Sequence, residues 1–435
     1  MPEPPHGLTE RQREIVTYAG GPLVVLGAAG TGKTHALGAR HAWLATEGGL
    51  EPEHVLALTH AVPAVDRLRA QVEDGIGHGF AELHVHTVHG FCARLLRDEA
   101  DEAGLDPFVV TVSHADRLAM LLERVDELTL RLHDFRGDPA SMLAGVLGRI
   151  DRLKEAAVTA DEVEAWASRL PAGDERADRE REFAQVYRTH DRMLREQGAL
   201  DAGDLVLLAL RLLERPHVRT RVADRHRHVL VDDVPDLAYA HLRLVLALVS
   251  EHRGLTAAGD PDQAIQRARG AAGKNLRDIA AELPEARTVR LERSLRAPQA
   301  VLDAALAVVA PNPDRAPAPV EAPPGGRLAF WRCANERAQA QAAAAEIERL
   351  VREGADPGGI AVLVRSVRQE GQAIAAALDE RAVPYRLAGA AALFDRAEVK
   401  DVLAWLRLLV DPGDAGAVVR ALSRPPVELR AIDVA

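Results

Sequence analysis

Gly27-Ala28-Ala29-Gly30-Thr31-Gly32-Lys33-Thr34 has the form G-x-x-x-x-G-K-[ST], the spacing of a phosphate-binding loop. Its glycines let backbone N–H groups turn inward around phosphate oxygens, where a Cβ would crowd them. Lys33 brings positive charge to the β- and γ-phosphates, and the Thr34 hydroxyl is a ligand for Mg2+. A second stretch, His228 to Asp233 (HVLVDD), is an apolar run that ends in two acids. Asp232 can hold Mg2+, directly or through water, and Asp233 stands where a general base would orient the attacking water. Together the two stretches read as a nucleoside triphosphate site.

Other residues invite chemistry with less force. The Gln12 amide can pair with an adenine edge as donor and acceptor together, although an exposed helical glutamine is the simpler reading of it alone. His84, His86 and His89 alternate along one stretch, but no cysteine or acid at ligand spacing accompanies them, so they read as surface or ligand-facing rather than metal-binding. Asp260 and Asp262 form a pair like that of a nuclease. Their place between Gly259 and Gln263 makes them part of a loop of the nucleotide site instead.

The elements that must position these residues follow from pattern. Thr9 is a candidate N-cap for a helix over the following residues. Leu23 to Leu26 reads as a buried strand that delivers the chain into the loop, and His35 to Leu44 as the helix that leaves it, with its positive dipole end on the phosphates. Further strands are expected at His54–Leu58, Leu83–Val85, His228–Val231, Leu255–Ala258 and Thr288–Leu291. The first two end in Thr59-His60 and His86-Thr87-Val88-His89, polar residues at what would be the ligand-facing edge of a parallel sheet. From about 101 to 197 the apolar residues recur at helical spacing (Leu118, Leu121, Leu122, Val125, Leu128), so this span reads as a helical insertion. PNPDRAPAPVEAPPGG (311–326) reads as an extended linker. Beyond it, strands at Arg327–Trp331, Ile360–Val364 and Tyr385–Leu387 are expected to alternate with helices at Ala338–Glu353 and Gln369–Glu380, a second α/β unit, before an amphipathic helix at Val399–Leu409.

Composition sets the bounds. A chain of 435 residues allows roughly two to four domains. With 47% hydrophobic but only 3% aromatic residues, the cores must be built from Leu, Val, Ala and Ile. The net charge of −11 gives no global sign of nucleic-acid binding, though a groove needs only a local basic lining. Cys92 and Cys333 lie far apart and suit a reducing cytoplasm. The N-terminus has no signal pattern, and no apolar run is long enough to span a membrane.

Taken in order, the motifs resemble those of the UvrD/Rep-type superfamily 1 DNA helicases from Leu8 to about Arg424. LTERQREIV is similar to their Q motif, and GAAGTGKT to their phosphate loop. VLALTHAVPAVDRLRAQV resembles the segment after the second strand, HTVHGFCARLLR the T-x-H-x-F stretch, and LDAGDL the D-x-x-D-L element. LVDDVPD holds the place of the D-E-x-Q-D box, GDPDQAIQRARGA that of G-D-x-x-Q-S-I-Y-x-F-R-G-A, and LERSLRAPQAVLDAA that of L-x-x-N-Y-R-S. IAVLVRS and LFDRAEVKDVLAWLRLL resemble the opening of the second motor domain.

The resemblance implies an α/β P-loop NTPase fold. A RecA-like parallel-sheet domain (1–100 and 198–310) would carry a helical insertion (101–197), and a linker (311–326) would lead to the start of a second RecA-like domain and the entry to a further insertion (327–435). It implies ATP and Mg2+ held by Gly27, Ala28, Ala29, Gly30, Thr31, Gly32, Lys33, Thr34 and Asp232, with adenine read by Gln12. Asp233 would polarise water, Gln263 sense the γ-phosphate, and Arg296 act as an arginine finger. Thr59, Thr87, His89, Arg269 and Arg365 would line or brace the DNA groove. The implied activity is ATP-dependent 3′–5′ movement on single-stranded DNA with unwinding at duplex junctions, in repair or recombination, and with a nuclease domain or partner subunit as candidate associates. The family's later motifs, including a second arginine finger, fall beyond Ala435. The chain therefore reads as an N-terminal portion that should not be a complete motor alone.

The departures from the pattern lie at functional positions. Asp233 replaces a Glu and Pro235 a Gln. Val62 and Pro63 replace Asn-Lys, and His60 replaces a base-contacting Phe. Gln266 and Ala268 replace two aromatics, and Leu295 replaces the Tyr that stacks on adenine. These changes leave two alternatives beside an active helicase. One is a degenerate helicase-like subunit that binds ATP and a partner motor without efficient unwinding. The other is an unrelated P-loop ATPase, against which the 259–271 and 291–297 segments argue.

Overall fold

The computed structural model describes residues 7–77, 79–106, 108–133, 138–312, 320–388, 397–410 and 412–429. They fall into two compact units, Met1–Leu328 and Ala329–Ala435.

The first unit is built on a six-stranded parallel sheet: β1 (Leu23–Gly27), β2 (Val55–Thr59), β3 (His84–Thr87), β6 (His228–Val231), β7 (Leu255–Gly259) and β8 (Arg287–Leu291), in the order β3-β2-β6-β7-β1-β8. The central strands are largely apolar because both faces are covered, with His228 and Thr256 as buried polar exceptions. Side chains alternate between the two faces with period two. Val24, Leu56, Leu58, Val229, Val231 and Ala257 enter one core, with the helices Val88–Asp98, Ala202–Leu213 and Tyr239–Val249. Leu23, Val25, Val55, Ala57, Leu230 and Ala258 enter the other, with the helices Lys33–Thr46 and Val62–Ile76. Removing a large side chain from either would cost about 2–5 kcal/mol, so the strand register is firmly specified.

Within 101–197 the long helices are Pro139–Glu155 and Glu175–Glu196, with the shorter His114–Glu123 and Ala160–Ala167. They share a separate core that includes Leu121, Leu143, Leu147, Ile150, Phe183 and Tyr187. Sequence pattern shows no strand here, yet β4 (Val110–Thr111) pairs in parallel with β5 (Ala199–Leu200) at the neck of the insertion. Two-residue strands are too short for a periodicity to register. Beside this neck the D-x-x-D-L element closes a buried charge cluster. Lys154 pairs with Asp191 (3.0 Å), Asp201 (2.9 Å) and Asp204 (2.6 Å), while Arg117 pairs with Asp201 (3.2 Å) and Asp151 (2.6 Å). Groups so buried are tolerated only with their partners, which fixes how the insertion helices meet Ala202–Leu213.

The expectation of strands beyond the linker is corrected, while the linker itself, where it is described, pairs just past the end of β8. Glu321 bridges the strand exit at Arg293, its N–H donates to Glu292 O (2.8 Å), and Ser294 N–H donates to Glu321 O (2.7 Å). Extended Pro- and Gly-rich backbone leaves its polar groups free to pair with another extended segment. Residues 313–319 of the linker lie outside the described residues. In the second unit the helices Glu336–Arg352 and Gln372–Asp379 pack through Ala340, Ala344, Ile374, Ala377 and Leu378, as pattern predicts. Ile360–Val364 and Tyr385–Leu387 are not strands, nor is Arg327–Trp331, the stretch leading into this unit. A strand exists only with a hydrogen-bonding partner, and none of the three finds one among the described residues. Phe330 and Leu363 accordingly stay 87% and 93% exposed. Val399–Leu409 lies within the helix Ala397–Val410, whereas residues 393–396 of its motif fall outside the described residues. No described helix is long and apolar enough to cross a membrane.

Histidines expected at the surface are in part interior. His84 is buried edge-on against His226, and His86 lies near Phe91. Burial pushes the imidazoles of His41, His226 and His241 down, to about 4, about 3 and about 3. Unfolded histidine titrates near 6.5, so the unfolded chain binds more protons below that pH. Stability is therefore full above about pH 6.5 and is lost as pH falls toward the folded values, by about 2 kcal/mol per histidine at pH 5. Urea midpoints are expected to be clearly lower at pH 5 than at pH 7.5. Equal midpoints would show that these rings are not held neutral.

Candidate nucleotide-binding site

The loop between β1 and the helix Lys33–Thr46 lies at the carboxyl edge of the sheet, where parallel α/β folds place ligands. Gly30 and Gly32 have φ of +77° and +81°, a left-handed conformation that other residues adopt at a cost. A Cβ at Gly30 would also come within 2.6 Å of Ser294 Oγ. Thr31 Oγ1 donates to Ala28 O (2.9 Å) and steadies the turn. Lys33 folds over the loop, and its Nζ donates to Gly27 O (2.7 Å) and Ala28 O (3.1 Å). Burial pushes its ammonium below the usual lysine range, opposed by Asp260, Asp233 and Asp232.

Thr34 Oγ1 donates to Asp232 Oδ2 at 2.6 Å, across 198 residues of chain. Asp232 is buried at the end of β6, and burial together with the charge of Asp233 pushes its carboxyl up. Two hard oxygen donors side by side at the foot of a phosphate loop fit Mg2+, which takes one or two protein ligands and completes its shell with water and phosphate. The glycine cradle and the Lys33 ammonium likewise fit a triphosphate. Asp233 has φ +50°, a conformation that Asp tolerates better than most residues, and its N–H donates to Asp232 Oδ1 (3.0 Å). Beyond it Pro235 is buried against Gly259, and its carbonyl accepts from Ala272 N–H (2.9 Å). Gln263 Nε2 donates to Asp260 Oδ2 (2.5 Å). Asp233, Asp260 and Gln263 line one small cleft of about 120 Å³ together with Pro235, Asp236 and Ile265. The fold thus brings Asp233 and Gln263 to the same small cleft, which has room for several waters.

Gln12 is fully buried rather than an exposed helical residue. Thr9 caps its helix, Glu10–Val16, and the Gln12 side-chain Oε1 accepts from Thr9 N–H (3.0 Å) in return. Its Nε2 donates to Thr31 O (3.2 Å), which leaves one amide hydrogen and one lone pair for another partner. Leu295, 48% exposed, lies beside Gly32 next to it, and its N–H donates to Gly30 O (2.8 Å). Arg296 is exposed, with its Cβ close to Gly30. The 291–297 segment is fastened to the loop by Ser294, which is fully buried and donates through Oγ to Ala29 O (3.0 Å). Sequence analysis places Asp260 in a loop of the nucleotide site without giving it a role, and it does not single out Ser294. A small hydroxyl at the Asn position of L-x-x-N-Y-R is the available signal for Ser294.

The residues expected to meet DNA are only partly gathered. Thr59 and Thr87 end the neighbouring strands β2 and β3 in register. Thr59 Oγ1 is buried with no hydrogen-bond partner among the described residues, while Thr87 caps the helix Val88–Asp98 by accepting from Gly90 N–H (3.0 Å). His89 packs edge-on against His241, and burial lowers its imidazole pKa. Arg269 is exposed on the turn Arg267–Arg269, beside Glu155 at the end of an insertion helix. Burial and the charge of Asp151 push the Glu155 carboxyl up to about 7, against the pull of Arg269. Arg365 is exposed in the second unit.

Comparison with known proteins agrees with this arrangement. A family model described as the UvrD/REP helicase N-terminal domain matches residues 8–284, and the UvrD-like helicase C-terminal domain matches residues 289–432. The chain is 30% identical over 423 residues to the ATP-dependent DNA helicase PcrA of Bacillus subtilis, covering 96% of this chain and 55% of that protein. It is 28% identical over 421 residues to the PcrA of Staphylococcus epidermidis, covering 96% and 56%. The chain thus spans about half the length of the curated relatives it matches. With both matched regions and the phosphate-loop geometry in agreement, the chain belongs to the UvrD/Rep helicase family.

Proposed function

We propose that this chain is the ATP-hydrolysing portion of a DNA helicase that moves 3′ to 5′ on single-stranded DNA and opens duplex junctions, in cytoplasmic repair or recombination. The observation that carries the reading is the convergence of Thr34 on Asp232, beside a glycine cradle and the cleft shared by Asp233 and Gln263. In this reading Lys33 and the loop N–H groups of residues 27–34 bind the triphosphate, and Gln12 and Leu295 hold the base. Thr34 and Asp232 would hold Mg2+, which supplies charge neutralisation at the β- and γ-phosphates. Asp233 takes up the proton of the attacking water. Gln263, on the loop that also bears Arg269, links the γ-phosphate to the DNA groove, and Arg296 meets transition-state charge. Thr59, Thr87, His89 and Arg365 belong to that groove.

A second reading, a nucleotide-binding subunit that serves a partner motor or nuclease, is favoured by Pro235. Its ring fills the space against Gly259 where the family pattern has an amide side chain. The absence of aromatics at Gln266 and Ala268 points the same way.

Single-stranded DNA decides between them. Without stacking aromatics, binding must depend on phosphate contacts, so affinity is expected to fall steeply with salt and hardly to depend on base sequence. Gln266→Tyr with Ala268→Trp is expected to tighten binding by about 1–3 kcal/mol and to flatten the fractional salt dependence. Oligonucleotide titrations at several salt concentrations, with ATP turnover followed in parallel, test this. Failure of both proteins to bind at low salt would remove DNA from the reading and leave the subunit role.

A further inference from the structure

Arg40, on the helix Lys33–Thr46, is only 1% exposed. A guanidinium so buried is ordinarily paired with an acid. None of the described carboxylates pairs with it, and the charged form is held instead by neutral oxygens. Its Nη1 donates to the carbonyls of Ile15 (2.7 Å), Val16 (3.2 Å) and Tyr18 (2.8 Å). Its Nε donates to Thr256 Oγ1 (2.8 Å) on β7. Thr256 Oγ1 in turn lies 3.0 Å from His228 Nε2, so the hydroxyl can donate to a neutral imidazole while accepting from Arg40. Burial pushes the guanidinium only to about 10, so it stays cationic at neutral pH.

The carbonyls that Arg40 gathers lie at the C-terminal end of the helix Glu10–Val16, where backbone oxygens lack helical partners and the helix dipole is negative. The other end of that short helix bears Gln12, bonded to Thr31 of the phosphate loop. The helix is therefore pinned at both ends, by Arg40 from below and by Gln12 onto the loop.

We propose that Arg40 is a positioning residue for base recognition: by clamping the carbonyl end of Glu10–Val16 to β7, it holds Gln12 in register with Gly32 and Leu295, where a purine would lie. This rests on the reading of Gln12 as the adenine contact. Lysine cannot substitute, because one ammonium nitrogen cannot span both the helix carbonyls and Thr256.

The test compares binding of ATP, GTP and inorganic tripolyphosphate, each with Mg2+, by calorimetry in the wild type, Gln12→Ala, Arg40→Lys and Arg40→Gln. The preference for ATP over GTP is expected to fall about tenfold in Gln12→Ala and in both Arg40 variants, while tripolyphosphate affinity changes by less than about threefold. Preference kept in a folded Arg40 variant but lost in Gln12→Ala overturns the proposal alone. Preference kept in Gln12→Ala overturns the reading of Gln12, and the role of Arg40 with it. Parallel loss of tripolyphosphate affinity, or failure of both Arg40 variants to fold as judged by circular dichroism, overturns the proposal by making Arg40 a general support of the domain.

Discussion

Replacing Lys33 by alanine is expected to weaken Mg·ATP binding by on the order of 100-fold, about 3 kcal/mol. The side chain's ammonium reaches over the loop, and its present acceptors, Gly27 O and Ala28 O, are neutral carbonyls. Exchanging them for phosphate oxygens converts ammonium–carbonyl bonds, in which only the donor is charged, into bonds between opposite charges, and the loop N–H groups alone cannot balance a triphosphate. Lys33→Met keeps more of the buried stem, so agreement between the two variants separates charge from packing. Calorimetry with ATP and Mg2+ reads the result. Equal affinity in wild type and variants would mean that the triphosphate lies elsewhere.

Asp233→Asn is expected to lower ATP turnover by about 100-fold while leaving ATP affinity nearly unchanged, the mark of a group that acts on the water and not on the nucleotide. Asn is suited to the comparison because it also tolerates the left-handed backbone at this position, so the turn into Val234–Asp236 persists. Its amide no longer takes up a proton. Asp233→Glu carries the carboxylate one methylene farther into the cleft beside Gln263 and is expected to raise turnover above that of the wild type. The rates are measured as phosphate release at saturating ATP with single-stranded DNA present. If the wild type and the Asn variant hydrolyse ATP equally, Asp233 is not the base.

The two halves of the site, the glycine loop and the acid pair, were legible because each announces itself locally, although the contact of Thr34 with Asp232 was not. Gly30 and Gly32 mark a turn that needs left-handed backbone, and HVLVDD is an apolar run stopped by charge. The strands of the sheet were legible for the same reason: a strand buried on both faces is largely apolar, and its ends appear as a change of residue type. The strands expected in the second unit show the reverse. Ile360–Val364 has the composition of a buried strand, but pairing is a property of two segments, and one segment does not declare whether its partner is in place.

Sequence by itself determined the phosphate loop, the acid pair, the order of the sheet-forming segments and the helical character of 101–197. These depend on contacts between near neighbours in the chain, where spacing is geometry. Tertiary structure alone decided that Gln12 is buried with its amide on Thr31, that Asp260 holds Gln263, that Ser294 fastens the 291–297 segment to the loop, and that Arg40 lies among carbonyls. An arginine or a glutamine on a helix is by default a solvated residue, and nothing in its neighbours reveals otherwise. What buries it is the approach of segments far along the chain, as when Thr256 comes to Arg40 across 216 residues. That approach follows from the closing of the whole sheet and its two cores, which no local pattern encodes.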